Sequence, residues 1–253
     1  MIITGSFVDL DVETSSMRTY VVRPNSSGRF PAVILYSEIF QLTGPIIRSC
    51  NRLAGHGFVV AAPEIYHRIE APGTVIPYDD AGRIRGNEDI SKTTAEEIDS
   101  DCRALIGYLK NHENVEPEKI ASMGFCLGGH LSFRAALQPE IKAAISIYGT
   151  GLHSGLLGVD TEPRMDTLSR ADDIRAKLFL VFGTRDPHVP EEGRTKIEQT
   201  LKDANVSHTI HLYDAEHAFM RDEGARYDPS ATDSVWQKVT SFLHTAFDNK
   251  LDL

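Results

Sequence analysis

The segment Met123-Gly124-Phe125-Cys126-Leu127-Gly128-Gly129 places a thiol between two glycines. It lies at the end of an apolar β-run, Ile120 to Gly124, and just before a helical pattern that opens at Gly128. A nucleophile lifted on a sharp strand-to-helix turn requires this arrangement, because the flanking backbones approach so closely that positions 124 and 128 must carry minimal side chains. Cysteine suits the position, since the positive end of a helix stabilises a thiolate. The plain alternative is a small buried hydrophobe, the ordinary fate of an isolated intracellular cysteine.

A thiolate nucleophile needs a proton acceptor that later becomes a donor, and that acceptor needs an orienting carboxylate. Asp186 follows an apolar run in Gly183-Thr184-Arg185-Asp186-Pro187, and His217 follows another in Ala215-Glu216-His217-Ala218-Phe219. Nucleophile, acid, then histidine is the chain order of α/β-hydrolases, whose catalytic loops leave the carboxyl ends of successive strands. Taken singly, Asp186 could be a turn former before Pro187 and His217 a surface or capping residue. His188 is the rival base, but two residues beyond Asp186 it could hardly face both the aspartate and Cys126. Acyl transfer also needs N–H donors for an oxyanion, expected from Leu127 and from Ile39 in the loop after an early strand. Glu38 sits in that same loop, where a carboxylate is unfavourable unless it has its own task; otherwise it is a solvated loop charge.

The elements that must hold these residues are legible as an α/β pattern. Ser6 to Val12 and Met17 to Arg23 read as a hairpin or meander. Further strands are expected at Ala32 to Ser37, Gly57 to Ala62, Ile120 to Gly124, Ala143 to Tyr148, Leu178 to Gly183 and Ser207 to Tyr213. Several are near-continuous apolar runs, as parallel strands buried on both faces should be. Ile98, Cys102, Leu105, Ile106 and Leu109 form one stripe of a helix over 93–112. Other helices are expected at Pro45 to Ala54, Gly128 to Leu137, Glu191 to Ala204 and Ser230 to Phe247. Tyr66 to Ser91 and Gly149 to Asp173 read as long irregular loops of the kind that carry function.

With 253 residues, 41% of them hydrophobic and 25% charged, the chain has the makeup of a globular protein, and residues 1–253 are expected to form one domain. A net charge of -10 argues against nucleic acid, whose affinity rests on Lys and Arg. The same charge means that an anionic substrate needs a local arginine cluster. Cys50, Cys102 and Cys126 show no CxxC spacing or even disulfide framework, which fits a reducing compartment, with Cys50 and Cys102 as core. No signal-peptide pattern or membrane-length apolar run appears, so a cytoplasmic location without membrane association is expected. His208 and His211 fall on opposite faces of a strand, so neither a metal nor another cofactor is expected, and no obligate protein partner is evident.

On Gly124-Phe125-Cys126-Leu127-Gly128-Gly129, Glu38, Gly183-Thr184-Arg185-Asp186 and Glu216-His217-Ala218-Phe219, the chain resembles the dienelactone hydrolase (carboxymethylenebutenolidase) family over nearly its whole length. The resemblance implies a single-domain α/β-hydrolase, with a mostly parallel sheet of about eight strands flanked by helices. It further implies a hydrolase of small lactones or esters. Cys126 would attack an enol-lactone carbonyl, His217 would transfer protons, Asp186 would hold His217, and Glu38 would help generate the thiolate when substrate binds. Arginines bind the substrate carboxylate in the family; Arg221 matches one, and Arg83 or Arg85 is expected to supply the other, with Tyr148 a further candidate for the pocket wall. The competing readings are a ligand-binding scaffold of weak activity and a redox-responsive thiol protein.

Overall fold

The computed structural model describes residues 1–13 and 15–247. Eight strands form one sheet: β1 (Ile3–Val12), β2 (Ser15–Pro24), β3 (Phe30–Tyr36), β4 (Val59–Pro63), β5 (Val115–Phe125), β6 (Ile141–Ile147), β7 (Lys177–Gly183) and β8 (His208–Tyr213). Their order is β1-β2-β4-β3-β5-β6-β7-β8. The β1–β2 and β2–β4 pairings are antiparallel, and the five from β4–β3 to β7–β8 are parallel. This is a single-domain α/β fold.

Alternation along the strands divides the core. On β3, Ala32, Ile34 and Tyr36 face one layer, while Val33 and Leu35 face the other. Helices α1 (Gly44–Gly55) and α6 (Pro229–Ala246) cover the second face through Ile46, Cys50 and Leu53, and through Val235, Trp236, Val239 and Leu243. Helices α3 (Ala95–Asn111), α4 (Leu127–Ala135) and α5 (Glu191–Asp203) cover the first. A capping box starts α3: Thr94 Oγ1 accepts from the Glu97 N–H, and the Thr94 N–H donates to the Glu97 carboxylate.

Two expectations need correction. Tyr66 to Ser91 is not loop throughout, because its second half folds into α2 (Asp80–Lys92), started by the Asp79 carboxylate accepting from the Gly82 N–H at 2.7 Å. The stretch from Gly149 to Asp173 ends in a 3-10 turn over Leu168–Asp173. No helix among the described residues is long and apolar enough to cross a membrane.

Candidate active site

Parallel pairing of β3, β5, β6, β7 and β8 brings their carboxyl ends to one edge, where the loops carrying Glu38, Cys126, Asp186 and His217 emerge. Cys126 follows β5 immediately and is the N-cap of α4, with φ 56° and ψ -119°. A non-glycine residue pays for positive φ, and here surrounding structure enforces it. A Cβ at Gly124 would lie 2.0 Å from the Gly128 carbonyl oxygen, and one at Gly128 would lie 2.3 Å from that of Tyr36. The Cys126 N–H donates to Ile147 O at 3.0 Å, and its carbonyl accepts from Thr150 at 3.2 Å.

His217 Nδ1 lies 2.7 Å from Asp186 Oδ2, and the other oxygen of Asp186 accepts from the His188 backbone N–H at 2.8 Å. Both carboxylate oxygens are thus engaged, which fixes the plane of the acid and, through it, the imidazole. Burial alone raises the affinity of Asp186 for a proton, yet these hydrogen bonds hold it below the usual carboxylate range. On its other side, His217 hydrogen-bonds to Cys126. Burial disfavours the imidazolium, but charge on Cys126 and the hydrogen bonds to Asp186 and Cys126 overcome it and push His217 up to about 10. The site therefore favours a protonated His217.

Glu38 is only 3% exposed. Tyr78 Oη donates to its Oε2 at 3.0 Å, and Arg221 Nη1 lies 3.8 Å from the same oxygen. Burial, the largest influence, raises the Glu38 proton affinity above the usual range even though Arg221 and Tyr78 oppose it. The Arg221 guanidinium stacks 4.2 Å from the centre of the Tyr78 ring, so one aromatic side chain braces both members of the pair.

These groups share a cleft of about 820 Å³. Cys126, His217, Glu38, Arg221, Leu127 and Ile39 all line it. Such a site has the parts needed for nucleophilic acyl transfer: a half-buried sulfur that lines the cleft, a base held by an acid, and a helix amino end beside the sulfur.

A family model describing the dienelactone hydrolases matches residues 17–247. The chain belongs to the dienelactone hydrolase family. It is accordingly a hydrolase acting on ester or lactone bonds. A protein of Saccharomyces cerevisiae described as a putative carboxymethylenebutenolidase is 38% identical, over 99% of this chain and 93% of the relative. One of Synechocystis with the same description is 33% identical, over 96% and 97%. Among solved structures, a putative dienelactone hydrolase from Klebsiella pneumoniae superposes with a TM-score of 0.85 at 26% identity, covering 96% of this chain and 99% of that one.

Within this dienelactone hydrolase fold the remaining candidates separate. Arg83 lines the cleft, but Arg85 does not: it points its guanidinium at Glu70, with Nε 2.6 Å from the carboxylate. Tyr148 is also absent from the cleft wall. It is 1% exposed and packs behind His217 with ring centroids 5.1 Å apart. His188 is no alternative base for Cys126, since its ring stacks edge-on against His217 at 4.6 Å and its backbone serves Asp186. Tyr78 and Arg226 line the cleft without having stood out in the sequence. Both sit in polar stretches with no periodicity, and only the distant partner, Glu38, gives Tyr78 its meaning. Among the described residues, no group of three or more His, Cys, Asp or Glu side chains could hold a metal ion.

Proposed function

We propose that this hydrolase cleaves small esters and lactones, including dienelactone-type enol-lactones, through a Cys126 nucleophile and a thioester acyl-enzyme. The observation that carries the reading is the placement of His217, hydrogen-bonded to Asp186 at 2.7 Å on one side and to Cys126 on the other, within the cleft.

The Cys126 thiol passes its proton to Glu38, the sulfur adds to the carbonyl carbon, and the resulting oxyanion accepts from the N–H groups of Leu127 and Ile39. The acyl C–O bond then breaks, and the departing oxygen takes the proton from His217. Water attacks the thioester, passing a proton to His217, and the acid leaves as the sulfur is expelled as a thiolate, which takes back the proton that Glu38 had held. In a lactone the departing oxygen stays tethered to the acyl group, so one ring-opened acid results.

Glu38 and the arginines tie this chemistry to substrate charge. Arg221 offsets the burial of the Glu38 carboxylate. A substrate carboxylate that draws Arg221 to itself removes that offset, so Glu38 becomes a stronger base at the moment a carbonyl is present. Arg83 and Arg226 supply further positive charge in the same cleft. Turnover of cis- and trans-dienelactone and of a p-nitrophenyl ester, measured for the wild type and for C126A, D186N and H217A, tests the proposal. Loss of turnover in all three variants is expected. Ligand binding without turnover of any ester or lactone would replace it with a binding scaffold, and rapid, thiol-reversible peroxide oxidation of Cys126 in an inactive protein with a redox sensor.

A further inference from the structure

The cleft is far from uniform along its length. Its outer wall is α2, which presents Arg83, Asn87 and Ile90 at i, i+4 and i+7, a span of about 10 Å along the helix axis. At the Arg83 end lie His188 and Arg226; both arginines act electrostatically on His188, whose ring abuts that of His217. At the Ile90 end the lining changes to Leu156, Leu157 and Gly158, with Thr150 and Gly151 leading back to Cys126. One end is therefore polar and mixed in charge, with Asp79 and Asp80 beside the arginines and Arg83 3.6 Å from Asp80, and the other is the more aliphatic, with His153 and Ser154 preceding the leucines in its lining.

The aliphatic end is built rather than incidental. Ser91 Oγ donates to Asn87 O at 3.0 Å within α2, lies 3.3 Å from Leu157 O, and accepts from the Val159 N–H at 2.9 Å, which pins the loop to α2. Arg164 acts as a strut between the same elements: Nη1 and Nη2 donate to the carbonyls of Thr93 and Ile90, where α2 ends, while Nε is held by Asp160 at 3.1 Å. The Thr93 carbonyl beyond the helix end thereby gains a partner, and the Ile90 carbonyl, which already accepts from the Thr93 N–H, gains a second. They also hold the loop carrying Leu156 and Leu157 against the Ile90 end of α2 before any ligand arrives. The volume of about 820 Å³ falls in the range of roughly 300–1,000 Å³ that encloses drug-sized ligands, more than a single small lactone ring fills.

His217 must hand its proton to the departing oxygen, so the leaving group belongs on the side of His217 and His188. The acyl portion then extends the other way. We infer that the Ile90, Leu156 and Leu157 wall is an acyl-chain subsite, and that the preferred substrates are esters or lactones carrying an extended aliphatic or arylalkyl acyl group. This inference rests on the acyl-enzyme reading above and adds to it which part of the substrate lies where.

The test is a chain-length series of p-nitrophenyl esters, from acetate through butyrate and hexanoate to octanoate, with the wild type, Leu156→Asp and Leu156→Trp. Leu156 is 37% exposed, so neither variant disturbs the core. Burial of each methylene at about 0.8 kcal/mol corresponds to about fourfold, so wild-type kcat/KM should rise two- to fourfold per methylene until the subsite is full. The charge in L156D and the bulk in L156W should each lower the hexanoate-to-acetate ratio at least tenfold. A wild-type profile that is flat or falls with length while acetate is turned over refutes the subsite and leaves the hydrolytic reading standing. A ratio unchanged in both variants does the same. If no ester is turned over, acetate included, while a dienelactone is, the subsite is refuted and the acyl-enzyme reading stands; if neither is turned over, both fail.

Discussion

Glu38 and Arg221 meet 3.8 Å apart, with the carboxylate almost wholly buried and the guanidinium stacked on Tyr78, the residue that donates to the same oxygen. The pair is poised rather than tight, because burial outweighs the arginine and leaves Glu38 with a raised proton affinity. As pH falls through that raised pKa, Glu38 protonates and can no longer accept the thiol proton. The acid limb of kcat/KM on an anionic lactone is therefore expected above the ordinary glutamate value of about 4.3. Glu38→Gln should remove that limb and lower the rate about 100-fold. A pH–rate series for both proteins checks this, and an unchanged limb in E38Q would assign it to another group.

His217 supplies the basic limb. The proton it gives the leaving group is lost as pH rises through about 10, so activity on a neutral ester should decline there. Asp186 is among the causes that raise His217, so Asp186→Asn should move the limb to lower pH while cutting kcat by about 10³–10⁴. The same sign governs stability. A histidine raised in the folded state contributes stability that is fully present below its unfolded value of about 6.5 and is lost as pH rises through about 10. Between those pH values the wild type should lose more thermal stability than His217→Gln does.

Arg226 and Arg85 make a contrasting pair. Arg226 lines the cleft, whereas Arg85 is held by Glu70 outside it. Arg226→Ala should raise KM about tenfold for an anionic lactone and leave a neutral ester nearly unchanged, and Arg85→Ala should leave both KM values as they are. Steady-state kinetics on the two substrates decides the matter.

Gly86 packs α2 against the loop that carries Ile39. A Cβ there would lie 2.4 Å from the Ile39 carbonyl oxygen, so Gly86→Ala must displace the Ile39 peptide or the helix. Overpacking of this kind costs about 1–3 kcal/mol. A fall in kcat of about tenfold or more, with circular dichroism unchanged, is expected if the Ile39 N–H serves the oxyanion.

How far the sequence disclosed this site depended on how each residue is buried. Strands such as β3, β6 and β7 are enclosed on both faces and so appear as apolar runs, and the short-range rules for a nucleophile turn made Cys126 visible from its two glycines. Helix α2 stayed hidden because its buried face is Gly82, Gly86, Asp89 and Ile90, with no stripe of large apolar side chains to betray a helical period. Tyr78 and Arg226 act through partners far away in the chain, and nothing in their immediate neighbours marks them. Tyr148 shows the converse: its position at a strand end suggested the pocket, but a strand end can equally turn its side chain into the packing behind His217.

The central claim is that the acyl group passes through the sulfur of Cys126. Acid-quenched reaction of the wild type with a p-nitrophenyl ester, followed by tandem mass spectrometry of the peptide containing residue 126, tests it most directly. An acyl mass on Cys126, discharged by hydroxylamine and missing in C126A, is the predicted result. Full turnover with no acyl group on Cys126, or with the group on another side chain, would contradict it.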